Sequence, residues 1–213
     1  MIWFSRFNHT NKVFLFQYPN LHKLFYALEF LPQQFTEEIN ENFASRYQTT
    51  LPMVLQKEER WENLHYGIGS ENSFADNACA IASLAMIEGY FQQSPAPVEE
   101  ILQWAGDTYY VPGAGTSWQI FIEFARANQL GYEDLGSDSN ALMNHLAQNH
   151  PVVVSVGPGE FTTTGHIMVL TNGGNGEIQV YDPNDTPEKN HFAKTFDVGI
   201  FQQEALHYWA FWS

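Results

Sequence analysis

The apolar period of this sequence changes near residue 150. Upstream, Ile81, Leu84, Ala85 and Ile87 fall at helical spacing, predicting a helix from about Cys79 to Phe91 with Asp76 and Asn77 as its cap. Further helices are expected from Val98 to Trp104, from a Thr116 or Ser117 cap through Asn128, and from about Asn140 to Gln148, with a loop over Tyr110–Gly115. Downstream, Val152–Val156, His166–Thr171 and Glu177–Tyr181 are short and rich in β-branched residues, and Asn172–Gly176 reads as a turn. Helices first and strands later predict an α+β domain, N-terminal helices packed on a C-terminal antiparallel sheet, rather than alternating βαβ units.

The 213 residues suit one globular domain with an N-terminal extension. Residues 1–50 are expected to form an accessory arm, mostly helical, and residues 51–213 the main domain. In the arm, Val13–Phe16 reads as a short strand. Leu21, Leu24, Phe25, Leu28 and Leu31 read as a helix that stops at Pro32, and Thr36 with Glu37 and Glu38 as the start of a second.

Charge narrows the function classes. The net charge is −15, and 16 of the 24 acidic residues lie between Trp61 and Glu188 against one base, Arg126. Nucleic acid is a poor partner for such a chain, because neutralising phosphates requires clustered Lys and Arg. A basic membrane-binding face is equally excluded. The acidic stretch points instead to a cationic partner. One cysteine forms no internal disulfide. No signal-peptide pattern or 18-residue apolar run is present, so no membrane insertion and a cytoplasmic location are expected.

If Asn172–Gly176 closes a symmetric hairpin, Thr171 faces Glu177 and His166 faces Asp182. Opposed side chains share a face with Cβ atoms roughly 4.5–5.5 Å apart, within reach of an imidazole–carboxylate hydrogen bond. Such a pair is the base and orienter of a catalytic triad, or a structural contact at a strand end. Cys79 offers the third member. At the first turn of its helix, unpaired N–H groups and the macrodipole favour a thiolate. An inert core cysteine is the other reading.

These residues sit inside a longer pattern: Gln56-Lys57-Glu58-Glu59-Arg60-Trp61, His65-Tyr66-Gly67, Asn77-Ala78-Cys79-Ala80-Ile81-Ala82-Ser83-Leu84-Ala85-Met86, Pro112-Gly113-Ala114-Gly115-Thr116-Ser117, Pro151 to Val156, Gly165-His166-Ile167-Met168-Val169-Leu170-Thr171 and Val180-Tyr181-Asp182-Pro183. In order and spacing, from about Leu51 to Thr195, this resembles the C39-like (double-glycine peptidase-like) cysteine peptidases. The resemblance implies a papain-like fold, with Cys79 as nucleophile, His166 as general base and Asp182 as its orienter. It also implies an oxyanion hole made by Gln56 and the Cys79 N–H. The family's usual Gly-Cys-Gly-Pro is Ala78-Cys79-Ala80-Ile81 here, and the two methyl groups are expected to narrow the approach to the thiol.

The expected activity is hydrolysis of peptide bonds through a thioester, on a peptide or protein substrate that carries basic segments if the charge surplus acts on it. Two alternatives share the residues: a domain that binds peptides without cutting them, and an amidase, deamidase or acyltransferase. No cofactor or metal is expected. His145 and His150, five apart, do not stack on one helix face, and no HExxH, GxGxxG, P-loop or GxSxG pattern occurs. Trp104, Trp118, Trp209 and Trp212 read as core or cleft-lining aromatics.

Overall fold

A computed structural model describes residues 32–46, 51–69 and 72–213. The strand expected over Val13–Phe16 and the helix expected over Leu21–Leu31 lie outside them. Helix α1 (Pro32–Arg46) comes first, then the single turn α2 (Phe74–Asn77), α3 (Cys79–Gln92) and α4 (Val98–Ala105). A two-stranded ribbon, β1 (Tyr110–Val111) and β2 (Gly115–Thr116), leads to α5 (Gln119–Ala127). The rest of the chain is β3 (Gly131–Gly136), α6 (Ser139–Ala147), β4 (Val152–Val156), β5 (His166–Gly174), β6 (Glu177–Tyr181), a 3-10 turn (His191–Ala193), β7 (Thr195–Phe196), α7 (Val198–Glu204) and β8 (Ala205–Trp212).

Helix α3 is apolar on every side and is accordingly central: each residue from Ala80 to Gly89 is buried. Gly89 is required there, because a Cβ would lie 2.6 Å from Cγ of Pro52, which crosses the helix. The helix packs on β5 of a six-stranded antiparallel sheet in the order β3-β8-β4-β5-β6-β7. Alternate residues divide between two cores, as the period of two demands. Val153, Ile167, Val169, Trp209 and Phe211 join the core under α3, α4 and α5. Val152, Val154, Met168, Leu170, Val180 and Ala210 join a second core with Leu142 and Leu146 of α6 and Phe201 of α7. The fold is thus the expected α+β arrangement of helices on an antiparallel sheet, with both sheet faces covered.

Three local expectations are corrected. Helix α1 begins at Pro32, which suits a residue with fixed φ and no N–H to satisfy. Thr36 therefore lies inside α1, where its hydroxyl donates to Glu58 Oε2 at 2.9 Å. The Tyr110–Gly115 loop forms most of the β1–β2 ribbon. The β5–β6 register is displaced by two residues: Thr171 faces Gln179 and Val169 faces Tyr181, with a bulge between Asn172 and Gly174. An even displacement keeps every side chain on its face. Continued past Tyr181, this register sets Met168 opposite Asp182 and leaves His166 diagonal to it.

Phe35, Ile39 and Phe43 recur every four residues on one side of α1 and are buried in the core that holds α3. The Phe43 ring lies 4.2 Å from that of Tyr181 and 6.3 Å from that of Phe192, and Phe35 meets Phe192 at 5.5 Å. Among the described residues no helix is long and apolar enough to cross a membrane. The Phe43→Ala variant should lose about 3–5 kcal/mol in chemical denaturation; a loss below about 1 kcal/mol would show that α1 is not part of the core.

Candidate active site

Cys79 is the first residue of α3 and is partly exposed. Asp76 and Asn77 do not cap this helix. Ser73 Oγ donates to Asp76 Oδ2 at 2.7 Å, and Asn77 Nδ2 donates to Asn72 Oδ1 at 3.0 Å. The cap position falls to Ala78, which has no side-chain oxygen to offer. The first-turn N–H groups, which have no partner within the helix, are therefore left for a negative charge at the thiol. Ala78 and Ala80 are both fully buried in the core that holds α3, and neither is among the described residues that line the cleft beside Cys79.

β5 begins at His166, whose imidazole Nε2 donates to Asp182 Oδ1 at 2.6 Å. That commitment leaves Nδ1 as the nitrogen available to the Cys79 thiol. Burial disfavours the imidazolium, but the Asp182 carboxylate and then the Cys79 sulfur outweigh it, and the His166 pKa is raised to about 9. Asp182 is wholly buried. Burial alone would raise its pKa, yet hydrogen bonds from His166 and His191, with the Lys189 ammonium nearby, hold it well below the usual carboxylate range.

The structure thus brings Cys79, His166 and Asp182 together and places Gln56 behind them. Gln56 is buried, and its backbone N–H donates to the carbonyl of Pro183 at 2.7 Å, tying its turn to the segment that follows Asp182. Its side-chain Nε2 donates to the carbonyl oxygens of Phe74 and Ala75, each at 3.3 Å.

Cys79 and His166 open into a cleft of about 700 Å³ whose other wall is the β1–β2 ribbon. The Tyr66 hydroxyl pairs with Thr116 Oγ1 at 2.8 Å, and Tyr110 Oη donates to Asn72 Oδ1 at 2.8 Å, so both strands of the ribbon are fastened at its open end, where Tyr110 faces Thr116. Burial pushes the Tyr66 pKa up to about 12, keeping it a neutral anchor. Val111, Trp118 and Leu206 stand exposed along the cleft, and Asp76 is the one acidic side chain among the described residues that line it. A larger groove of about 970 Å³ lies beside α1 and the end of α3, and no cysteine, histidine or acidic side chain is among the described residues that line it.

Sequence reasoning missed His191 and Lys189, which meet Asp182 Oδ2 at 2.8 and 3.6 Å. Asp182, Asp185 and His191 come close enough to share an ion. Their ligand atoms are already engaged, however: Asp185 accepts the backbone N–H groups of Thr186, His191 and Phe192, and His191 Nδ1 is bonded to Asp182. With Lys189 beside it, this is a hydrogen-bonded carboxylate network that does not fit a cation. The only advance signal was the polar run that follows the Asp182-Pro183 turn.

The raised His166 pKa sets a stability window. Below the ordinary value of 6.5 the interaction contributes in full, and it is lost as pH rises through about 9. Denaturant titrations at successive pH values should show stability falling across that window relative to His166→Gln. Parallel profiles for the two proteins would contradict the assignment.

The profile of the Peptidase C39-like family matches residues 48–210. Among solved structures, the peptidase domain of Streptococcus ComA, a bifunctional ABC transporter involved in quorum sensing, is 18% identical with a TM-score of 0.46, covering 63% of this chain and 90% of that one. A putative C39-like peptidase from Bacillus anthracis is 15% identical with a TM-score of 0.45, covering 78% and 96%. A search of curated proteins gave no match. With its profile match running over most of the chain and its helices packed on an antiparallel sheet, this protein belongs to the Peptidase C39-like family.

Proposed function

We propose that this protein is a thiol hydrolase that cleaves peptide bonds through a thioester. The observation that carries this reading is the buried His166, bonded through Nε2 to Asp182 and interacting with the Cys79 sulfur at the mouth of an open cleft. In the resting pair the Cys79 proton resides on His166 Nδ1. The thiolate attacks the carbonyl carbon of the substrate. Negative charge on the carbonyl oxygen is met by the Cys79 N–H at the start of α3, with the Gln56 amide turning from Phe74 and Ala75 as the second donor. His166 then gives its proton to the leaving amine, and the C–N bond breaks to leave a thioester on Cys79. Water loses a proton to His166 as it attacks the thioester, and the carboxylic acid departs as the thiolate returns.

The substrate reading is an extended peptide or protein segment. Exposed Val111, Trp118 and Leu206 favour apolar side chains beside the scissile bond, and Asp76 offers one contact for a base. Among the described residues no lysine or arginine lines the cleft to repel a basic segment.

Alkylation of Cys79 by iodoacetamide tests the pair. The reaction should proceed well below the ordinary thiol pKa of about 8.5, and His166→Ala should remove that low-pH reactivity. Titration near the ordinary value, or inertness until denaturation, would overturn the catalytic reading. Mass spectrometry of a peptide library incubated with the protein should show backbone cleavage. A one-dalton shift without cleavage would make the enzyme a deamidase instead, and binding with neither change would make it a peptide-binding domain.

A further inference from the structure

Asp182 directs His166 only while its carboxylate is held against rotation. Oδ1 accepts from His166 Nε2 at 2.6 Å and from the Asn184 N–H at 2.7 Å. Oδ2 accepts from His191 Nδ1 at 2.8 Å, with Lys189 Nζ farther away at 3.6 Å. A carboxylate only accepts, so Nδ1 of His191 carries the hydrogen.

His191 is itself fixed. Its side chain is 3% exposed, against 30% for Lys189. Its ring meets Phe161 edge-on at 5.3 Å and Phe196 at 5.9 Å. Its backbone N–H donates to Asp185 Oδ1 at 3.0 Å, and the next N–H, of Phe192, donates to Asp185 Oδ2 at 2.9 Å. The 3-10 turn is therefore moored to a second buried carboxylate. Lys189 donates its shorter bond to the Asn184 carbonyl, at 2.7 Å, rather than to Asp182.

We propose that His191 is a positioning residue of this site: it pins Oδ2 of Asp182 so that Oδ1 is presented to His166. The proposal rests on the Cys79–His166–Asp182 reading given above. His191 touches neither the thiol nor the substrate and acts through Asp182 alone. The charged and titratable groups facing that carboxylate are His166, His191, Lys189 and Asp185. Of these, His191 and His166 donate directly to it, Lys189 attracts it from farther away, and Asp185 repels it. Without His191, Oδ2 faces only a distant and partly hydrated ammonium. The buried anion then becomes costlier, and its hold on the His166 imidazolium weakens.

The test is a ring-nitrogen NMR titration of the full chain with labelled histidine. In the wild type, His166 should release its proton near 9. His191→Phe fills the space without the donor and should lower that value by about one pH unit, cutting the ratio of ion pair to neutral pair about tenfold. Cys79 alkylation near neutrality should slow in step. His191→Asn places an amide N–H close to the Nδ1 position and should restore both readings. His191→Gln carries the same amide one carbon too far and should not. If the Phe variant fails to fold, as thermal unfolding will reveal, the Asn and Gln pair decides alone. Wild-type titration of His166 in the Phe or Gln variant overturns the role of His191 and leaves the triad reading standing. A wild-type His166 that titrates at its ordinary value overturns the triad reading itself, and the proposal with it.

Discussion

A carboxylate with no solvent exposure is the constraint around which this molecule is arranged. An uncompensated charge at Asp182 would cost several kcal/mol, so the chain must bring donors to it from several directions. It does so from the start of β5, from the backbone just after Asp182, and from the 3-10 turn nine residues later. The surrounding segments hold those donors in turn. Gln56 clamps Pro183 through its backbone, and α1 sets Phe35 and Phe43 against Phe192 and Tyr181, the residues that flank His191 and Asp182. Helix α1 thus reaches the carboxylate from behind, through packing alone.

The same arrangement underlies the role proposed for the Cys79 thiol. Asp182 keeps the imidazole charged, and the uncapped first turn of α3 offers N–H groups where charge develops on sulfur or on a carbonyl oxygen. Neither contribution comes from a mobile part. Helix α3 is buried along its length, and β5 is paired on both sides and covered on both faces. The side that varies is the opposite wall of the cleft, a short ribbon fastened by Tyr66 and Tyr110. Rigid chemistry faces a separately anchored binding wall.

Much of this was legible in the sequence, for reasons that differ by element. Helix α3 was readable from the helical spacing of its apolar residues, and strands β4 to β6 because short runs rich in β-branched residues are bounded by turn residues. The His166–Asp182 pairing survived a register wrong by two residues because only the parity of the shift decides the face. Strand β8 was not foreseen: it lies inside the sheet with both faces buried, so Tyr208 to Phe211 show no polar alternation. Strand β3 was missed for the opposite reason, as a sheet edge written in Glu133, Asp134 and glycines. His191 was invisible because its role depends on a loop folding back across nine residues.

In the proposed mechanism Asp182 sustains a thiolate–imidazolium pair between Cys79 and His166. The ultraviolet thiolate band, recorded as wild type minus Cys79→Ser, reads that pair without any substrate. The band should be present at about pH 6, well below the ordinary thiol pKa, and Asp182→Asn, in protein shown by circular dichroism to be folded, should abolish it there. A band that emerges only near the ordinary thiol pKa, or one indifferent to Asp182→Asn, would contradict the account.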